Sequence, residues 1–405
     1  MIGISKLYCG TVEPSDPLRY GRMSNALPSH LLQFSEDKRP VIVWNATRRC
    51  NLRCIHCYAK SHDHCEEQEL TTAEGKAMIE DLAAFGCPVL LLSGGEPLMR
   101  RDIIELAAFA KGRGMRVVLS TNGTLIDRTM AQTLRKIGLS YVGISLDGLQ
   151  AYHDRFRKVP GAFEQAMTAL RHCRELGLKV GLRFTIHRGN ADQVGDIFDL
   201  VEAERVPRIC FYHLVYAGRG SSLIDEDLDH AATRAVVDLI IDRTKALHDR
   251  GRALEVLTVD NHADGPYVYL RLQKENPTRA REALQLLRMN QGNSSGHGIG
   301  CISWDGSVHA DQFWRHHTFG NVRERPFSAI WTDPRDRLLQ ALKDKRPHVK
   351  GRCAACRWLG LCGGNFRVRA EAVTGDLWAP DPACYLTDEE VGADPGRRED
   401  EFVGA

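Results

Sequence analysis

Two groups of cysteines are the residues best placed to do chemistry. The run Arg48-Arg49-Cys50-Asn51-Leu52-Arg53-Cys54-Ile55-His56-Cys57-Tyr58 puts three thiols within eight residues. One loop with that spacing can wrap an iron–sulfur cube and ligate three of its irons, leaving one iron open. A zinc site would want a fourth protein ligand, which His56 or His62 could supply. The second group is Cys353-x2-Cys356-x5-Cys362 with Cys384 further on. Four thiols suffice for a complete [4Fe–4S] cluster or for structural zinc, and the residues alone leave that choice open.

Composition narrows the setting. The chain has 405 residues, enough for two or three domains or one large barrel with an appendage. Lys plus Arg is 54 against 52 for Asp plus Glu, a formal charge of +2, which lacks the basic excess of a nucleic-acid binder. Hydrophobic residues at 43% and charged residues at 26% are ordinary for a globular chain. No apolar run is long enough to span a membrane, and the first residues lack the pattern of a secretory signal. The expectation is a cytoplasmic protein, in which 13 cysteines at close spacing point to metal or cluster binding, not disulfides. Cys87, Cys173 and Cys210 read as core packing, Cys301 as either near the active site or buried, while Cys9 and Cys65 have no assigned task.

Something must position these thiols. Short aliphatic runs at 41–45, 89–93, 117–121, 141–145, 180–186 and 209–214 alternate with helical patterns at 72–85, 102–113, 128–137, 162–176 and 192–203. That alternation predicts βα units and a parallel sheet, open or barrel-like. The first cysteine loop then falls just after the first strand, at the end where such folds carry chemistry. Residues 1–38 read as an irregular extension and candidate lid, 39–290 as the barrel with connecting helices (223–250 and 277–289), 291–387 as a cluster-binding domain, and 388–405 as a frayed tail.

The Cys-x3-Cys-x2-Cys spacing resembles the signature of the radical S-adenosylmethionine (SAM) superfamily. Further segments match in order: Ser93-Gly94-Gly95-Glu96-Pro97, Ser120-Thr121-Asn122-Gly123, Ser145-Leu146-Asp147-Gly148, and His153-Asp154 with Arg157. The resemblance implies a partial (β/α)6 TIM-like barrel, with Cys50, Cys54 and Cys57 holding the cluster that cleaves SAM reductively to a 5′-deoxyadenosyl radical. It implies SAM contacts from Tyr58, Gly94, Gly95, Glu96, Ser120, Asn122, Ser145, Asp147 and Arg157. His56 stands where many relatives have an aromatic ring.

The second cysteine group resembles the end of the SPASM domain, which implies one auxiliary [4Fe–4S] cluster on Cys353, Cys356, Cys362 and Cys384. The segment Asp305-Gly306-Ser307-Val308-His309-Ala310-Asp311 departs from that family, because Asp311 occupies a ligand-cysteine position. A further auxiliary cluster is therefore expected to be lost.

Several segments also resemble the branch that trims side chains of sirohaem-derived tetrapyrroles. They include Trp44-Asn45, Gly181-Leu182-Arg183-Phe184-Thr185, His213 to Gly220, Asp260 to Gly265, His309 to Trp314 and Gly364 to Ala370. The resemblance implies removal of two acetates from 12,18-didecarboxysiroheme to give Fe-coproporphyrin III. The alternatives are removal of two propionates in haem d1 synthesis, a peptide-modifying SPASM enzyme, and a non-catalytic electron carrier. A carboxylate-rich, iron-containing tetrapyrrole wants arginine clamps and histidines. The candidates are Arg183, Arg219, Arg315, Arg367 and Arg369 with His213, His262, His309, His316, His317 and Cys301. An external donor such as a flavodoxin or ferredoxin would supply electrons, and neither nucleic acid nor membrane is an expected partner.

Overall fold

The computed structural model describes residues 1–11, 39–64 and 68–392. A two-residue strand, β1 (Ile2–Gly3), is followed by seven parallel strands in sequence order. They are β2 (Val41–Thr47), β3 (Val89–Gly94), β4 (Arg116–Thr121), β5 (Tyr141–Ser145), β6 (Val180–Ile186), β7 (Arg208–His213) and β8 (Glu255–Val259). β9 (Ile299–Ile302) adds parallel to β2, and β10 (Val308–His309) pairs antiparallel with β9. The sheet order β1-β8-β7-β6-β5-β4-β3-β2-β9-β10 does not close on itself, so the architecture is a partial TIM-like barrel.

Alternation along each strand sets the two faces. Trp44 turns outward against Gly75 of helix Thr72–Phe85, while Asn45 turns into the lumen. Phe184 and Phe211 likewise face the helices, Phe211 stacking with Phe198 of helix Val194–Ala203 and meeting Phe184 edge-on, which leaves Arg183, Cys210 and Tyr212 on the inner face. The main core lies between strands and helices. Helix Thr72–Phe85 starts on a capping box of Thr71 and Glu74 and ends at Gly86 in the left-handed conformation, as its sequence dictates.

The structure departs from the sequence reading in four places. Residues 1–11 are not an irregular lid: β1 pairs with β8, and Ile4 and Leu7 are fully buried. The remainder of that call, 12–38, lies outside the described residues, as does Cys65. The helix expected over 223–250 is split, with a 3-10 segment Gly218–Glu226 and then helix His230–Asp249 capped by Asp229. A seventh parallel strand, β8, and helix Asp264–Glu275 were not expected; Pro266 reads as a breaker but sits in the first turn, where its missing N–H costs nothing. Residues 388–391 of the expected tail form a short helix behind a Thr387–Glu390 capping box.

Candidate active site

The Cys50–Cys57 loop leaves the C-terminal end of β2 and is gripped from two sides. Gly95 N donates to Thr47 O at 2.8 Å and Glu96 N to Arg49 O at 2.8 Å. A Cβ on Gly94 (φ +128°) or Gly95 would drive into those same carbonyls, so the glycine pair is what lets β3 close against the loop. On the other side Gly218 (φ +62°) presses on the Cys57 and Tyr58 carbonyls. Arg219 N donates to Cys57 O, and its guanidinium donates to Cys54 O at 2.9 Å and Ser61 O at 2.8 Å.

The three thiols sit in a dry pocket. Burial, reinforced by Glu96, pushes the Cys50 thiol up to about 12, and burial raises Cys54 to about 11 despite Arg157 beside it. Arg157 NH1 reaches Cys54 Sγ at 3.5 Å, and Asn122 Nδ2 lies 3.9 Å from Cys50 Sγ. Cys57 exchanges 3.4 Å contacts with the hydroxyl and N–H of Ser61.

The polar residues around this loop come from the ends of β3, β4 and β5. Glu96 is fully buried and accepts from Thr121 Oγ1 (2.8 and 2.9 Å), Asn122 N (2.8 Å) and Leu98 N (3.2 Å). Burial nevertheless raises its carboxyl to about 7. Asp147 accepts from Arg157 Nε at 2.5 Å and lies 3.7 Å from His56 Nε2. Burial alone would raise its carboxyl, but Arg157, then His56 and His153, hold it near 2. Tyr58 donates to Asn45 Oδ1 at 3.0 Å and meets Ser93 Oγ at 2.9 Å, while Asn45 Nδ2 donates to Cys301 Sγ at 3.4 Å. Cys301, one of the substrate candidates, is thus buried beside Asn45. Ser120 accepts from Arg183, and Ser145 pairs in register with it.

The second set of thiols gathers from the 3-10 turn Gly351–Cys353, the helix Leu359–Cys362 and Cys384. Cys353, Cys356 and Cys384 all act on Cys362, whose thiol burial drives upward. Arg352 NH1 lies 3.8 Å from Cys384 Sγ, and Trp358 N lies 3.4 Å from Cys356 Sγ. Asp311 is turned to another use: it accepts from Ser295 Oγ at 2.6 Å and from the N–H groups of Phe313 and Trp314.

Comparison with known proteins follows this geometry. The Radical SAM superfamily matches residues 44–201, and SPASM, an iron–sulfur cluster-binding domain, matches 297–357. Fe-coproporphyrin III synthase of Methanosarcina barkeri is 65% identical over 97% of this chain and 99% of its own. The chain belongs to the radical SAM superfamily. Pre-heme d1 synthase of Dinoroseobacter shibae is 46% identical over 87% of this chain and 88% of its own. The solved structure of native anSMEcpe with bound AdoMet superposes with a TM-score of 0.67 at 18% identity, over 87% of this chain and 96% of that one, a likeness of fold.

The cofactors of a radical SAM enzyme with a SPASM domain, [4Fe–4S] clusters and SAM, fit what these residues offer. Among the described residues, the one group of three or more His, Cys, Asp or Glu donors converging within 4.8 Å is His316, His317 and Glu371. Neither cysteine set closes so tightly, whereas one zinc ion would draw its sulfurs to about 3.8 Å from each other. At the first loop Asp147 Oδ1 and His56 Nδ1 are buried without a hydrogen-bond partner, an opening for a polar ligand beside the thiols.

Several residues expected to touch substrate are committed within this radical SAM enzyme itself. Arg219 braces the cysteine loop. Arg367 donates to the carbonyls of Leu377, Ala379 and Gly364, and Arg369 pairs with Asp381 in a fully buried bridge at 2.8 Å. His309 bonds Ser303 Oγ and His317 O through both ring nitrogens. His213 shares the helix-facing side of β7 with Phe211, and its Nε2 lies 2.9 Å from Asp264. His262 lies against the Met1 amine at 3.5 Å. His316 and His317 both address Glu371 at 2.9 Å. Arg183, Arg315 and Cys301 remain at the lumen. Sequence reasoning missed Asn190, whose buried amide holds the carbonyls of Asp147 and Thr185, and the Phe156–His187 stack at 4.8 Å. Their only signal was position, just after β6 and on helix Gln150–Arg157.

Proposed function

We propose that this enzyme removes two acetate side chains from 12,18-didecarboxysiroheme to give Fe-coproporphyrin III. The observation that carries the reading is the 65% identity, end to end, to Fe-coproporphyrin III synthase. In this reading Cys50, Cys54 and Cys57 hold the cluster with an open iron, and Cys353, Cys356, Cys362 and Cys384 hold the auxiliary one. Tyr58, Gly94, Gly95, Glu96, Ser120, Asn122, Ser145, Asp147 and Arg157 surround SAM. When bound, cluster and SAM together supply an organic radical able to abstract hydrogen from unactivated carbon. The chain's own work is then positional. Arg157 and Asp147 hold each other beside Cys54, the Gly94–Gly95 and Gly218–Arg219 contacts fix the loop, and the Tyr58–Asn45–Ser93 network orders the lumen wall.

The acetates of this substrate sit on quaternary ring carbons, which no simple base or nucleophile can free. A radical generated next to such a carbon can expel the side chain as a carboxymethyl radical, because the ring regains conjugation. One electron from the external donor with one proton then turns that fragment into acetate. An external flavodoxin or ferredoxin is the electron donor in this reading, in the cytoplasm; no helix among the described residues is long and apolar enough to cross a membrane. The division into 39–290 and 291–387 as barrel and auxiliary-cluster domain belongs to the same proposal. A second reading, loss of two propionates, has the 46% identity to pre-heme d1 synthase behind it. Mass spectrometry of the product formed from 12,18-didecarboxysiroheme with SAM and a reductant decides. Loss of two acetates with every propionate kept supports the proposal; loss of two propionates selects the second reading; no change in the tetrapyrrole overturns both.

A further inference from the structure

Among the described residues, Arg183 and Arg315 form no ion pair with a carboxylate. Arg183 projects inward from β6, donates to Ser120 Oγ on β4, and keeps a buried Nε without a partner. Its path is built: it crosses β5 at Gly143, where any Cβ would fall on the Arg183 guanidinium. The titratable groups acting most on it are Tyr212, Tyr141, Cys210 and Arg208, none of them a carboxylate.

Arg315 comes from the C-terminal segment that follows β10. It stacks 4.2 Å over the Trp304 ring, donates to Ala59 O at 3.1 Å, and also has a buried Nε without a partner. Burial lowers its proton affinity, and Arg48 adds to that; Asp305 acts on it without forming an ion pair. Arg315 is tied to the carbonyl of Ala59, next to Tyr58, whose hydroxyl reaches Cys301 through Asn45. Tyr58 feels the Arg183 charge and in turn acts on Arg315, so both arms face the surroundings of Tyr58 and Cys301.

Two buried arginines show a carboxylate partner in place, whereas Arg367 donates to carbonyls alone. Arg157 has Asp147 at 2.5 Å and Arg369 has Asp381 at 2.8 Å. Among the described residues neither Arg183 nor Arg315, both half-buried, has such a partner, and each keeps a buried Nε without a hydrogen bond, which costs free energy unless a ligand supplies an acceptor.

We infer that Arg183 and Arg315 form a two-point clamp for ligand carboxylates, one arm on the barrel wall and one on the C-terminal segment. Planar guanidiniums suit carboxylates in bidentate fashion. The carboxylates have two sources, the tetrapyrrole side chains and the amino-acid end of SAM. Only the first source rests on the function proposed above.

The test uses the full chain, anaerobically reconstituted, as wild type, R183M, R315M, R183K, R315K and G143A. Fe-coproporphyrin III and its tetramethyl ester are titrated by Soret shift, and SAM by calorimetry. Iron content equal to wild type is required before a variant is scored. Fe-coproporphyrin III should bind roughly ten- to a hundredfold more weakly to R183M and R315M, with the Lys variants intermediate. The ester should bind wild type weakly and ignore the substitutions. G143A, which keeps the Arg183 charge and displaces it, should reproduce R183M. Weaker SAM binding with unchanged porphyrin binding would assign that arm to SAM and uphold the clamp. Should wild type bind neither porphyrin, the proposed function fails, and SAM binding alone then decides the clamp. Wild-type affinity for acid and SAM in both Met variants, or equal affinity for acid and ester in wild type, overturns it.

Discussion

The two cysteine sites are built on opposite plans. The first lies on one continuous loop whose backbone is clamped by β3 through Gly94 and Gly95 and by Gly218 and Arg219. Cys50 and Cys54 are buried. The second draws its thiols from separate turns, all four half-buried; backbone contact from Gly292 and Asn293 reaches only Cys362, and Cys384 is approached by Arg352, which also pairs with Asp388 at 2.9 Å. A loop locked by backbone contacts suits a site that must hold an open coordination position in fixed geometry. Under the proposed assignment, four thiolates on the second site leave no open position to protect, and their half-exposure suits electron passage.

The strongest way to break that contrast is to delete each set in turn. Replacing Cys50, Cys54 and Cys57 together by Ala should abolish formation of 5′-deoxyadenosine while about four irons per chain remain, one cluster's worth. A triple variant that still cleaves SAM would end the assignment. Replacing Cys353, Cys356, Cys362 and Cys384 should lower iron from about eight to about four. SAM cleavage should survive and complete tetrapyrrole turnover should be lost; one zinc in place of four irons would convert the site to a structural one.

A smaller effect separates a glycine at a close backbone approach from one with open space around it. Gly95→Ala forces a Cβ into the Arg49 carbonyl, so the reconstituted first cluster should fall well below full occupancy by iron analysis. Gly360→Ala, in the helix Leu359–Cys362 with nothing within 4 Å of a new Cβ, should leave iron content unchanged and the melting temperature equal or slightly higher. Equal losses in both would erase the distinction.

The smallest effect is a titration confined to the C-terminal region. Lys345 is buried against the carbonyls of Asn293 and Leu342, and burial lowers its ammonium to about 7 from 10.5. The unfolded chain then holds one more proton between those values, so this residue's contribution to stability is full above 10.5 and is lost as pH falls to about 7. The melting temperature of Lys345→Met relative to wild type should therefore rise as pH is lowered from 10 to 7 and level off below. A flat difference would show that Lys345 does not titrate in this window.

Strand ends and motifs were legible because βα periodicity and short loop signatures are local. β2 to β7 fall where aliphatic runs placed them, and Glu96, Asn122, Asp147 and Arg157 do meet the first cysteine loop. Long-range commitments were not legible. Arg219, Arg367 and Arg369 read as free cations in sequence, yet each is spent on carbonyls or a carboxylate, some more than 100 positions away. His309 has the same fate inside its own turn. Helix Gln150–Arg157, short and mostly polar, offered little periodicity, although it delivers His153 and Arg157.

The pairing of β9 with β2 has a consequence for modularity. Residues Ile299–Ile302 supply the hydrogen-bonding neighbour of Val41–Trp44, the strand that launches the first cysteine loop. A barrel cut off before β9 would bare that apolar edge, which is a template for intermolecular strand addition. The C-terminal segment is therefore also the barrel's edge guard. Gene fusions or truncations that treat it as a detachable cassette should yield aggregate in place of a smaller radical SAM enzyme, and recombination between relatives should tolerate crossovers on the connecting helices far better than at the strand that joins the two halves.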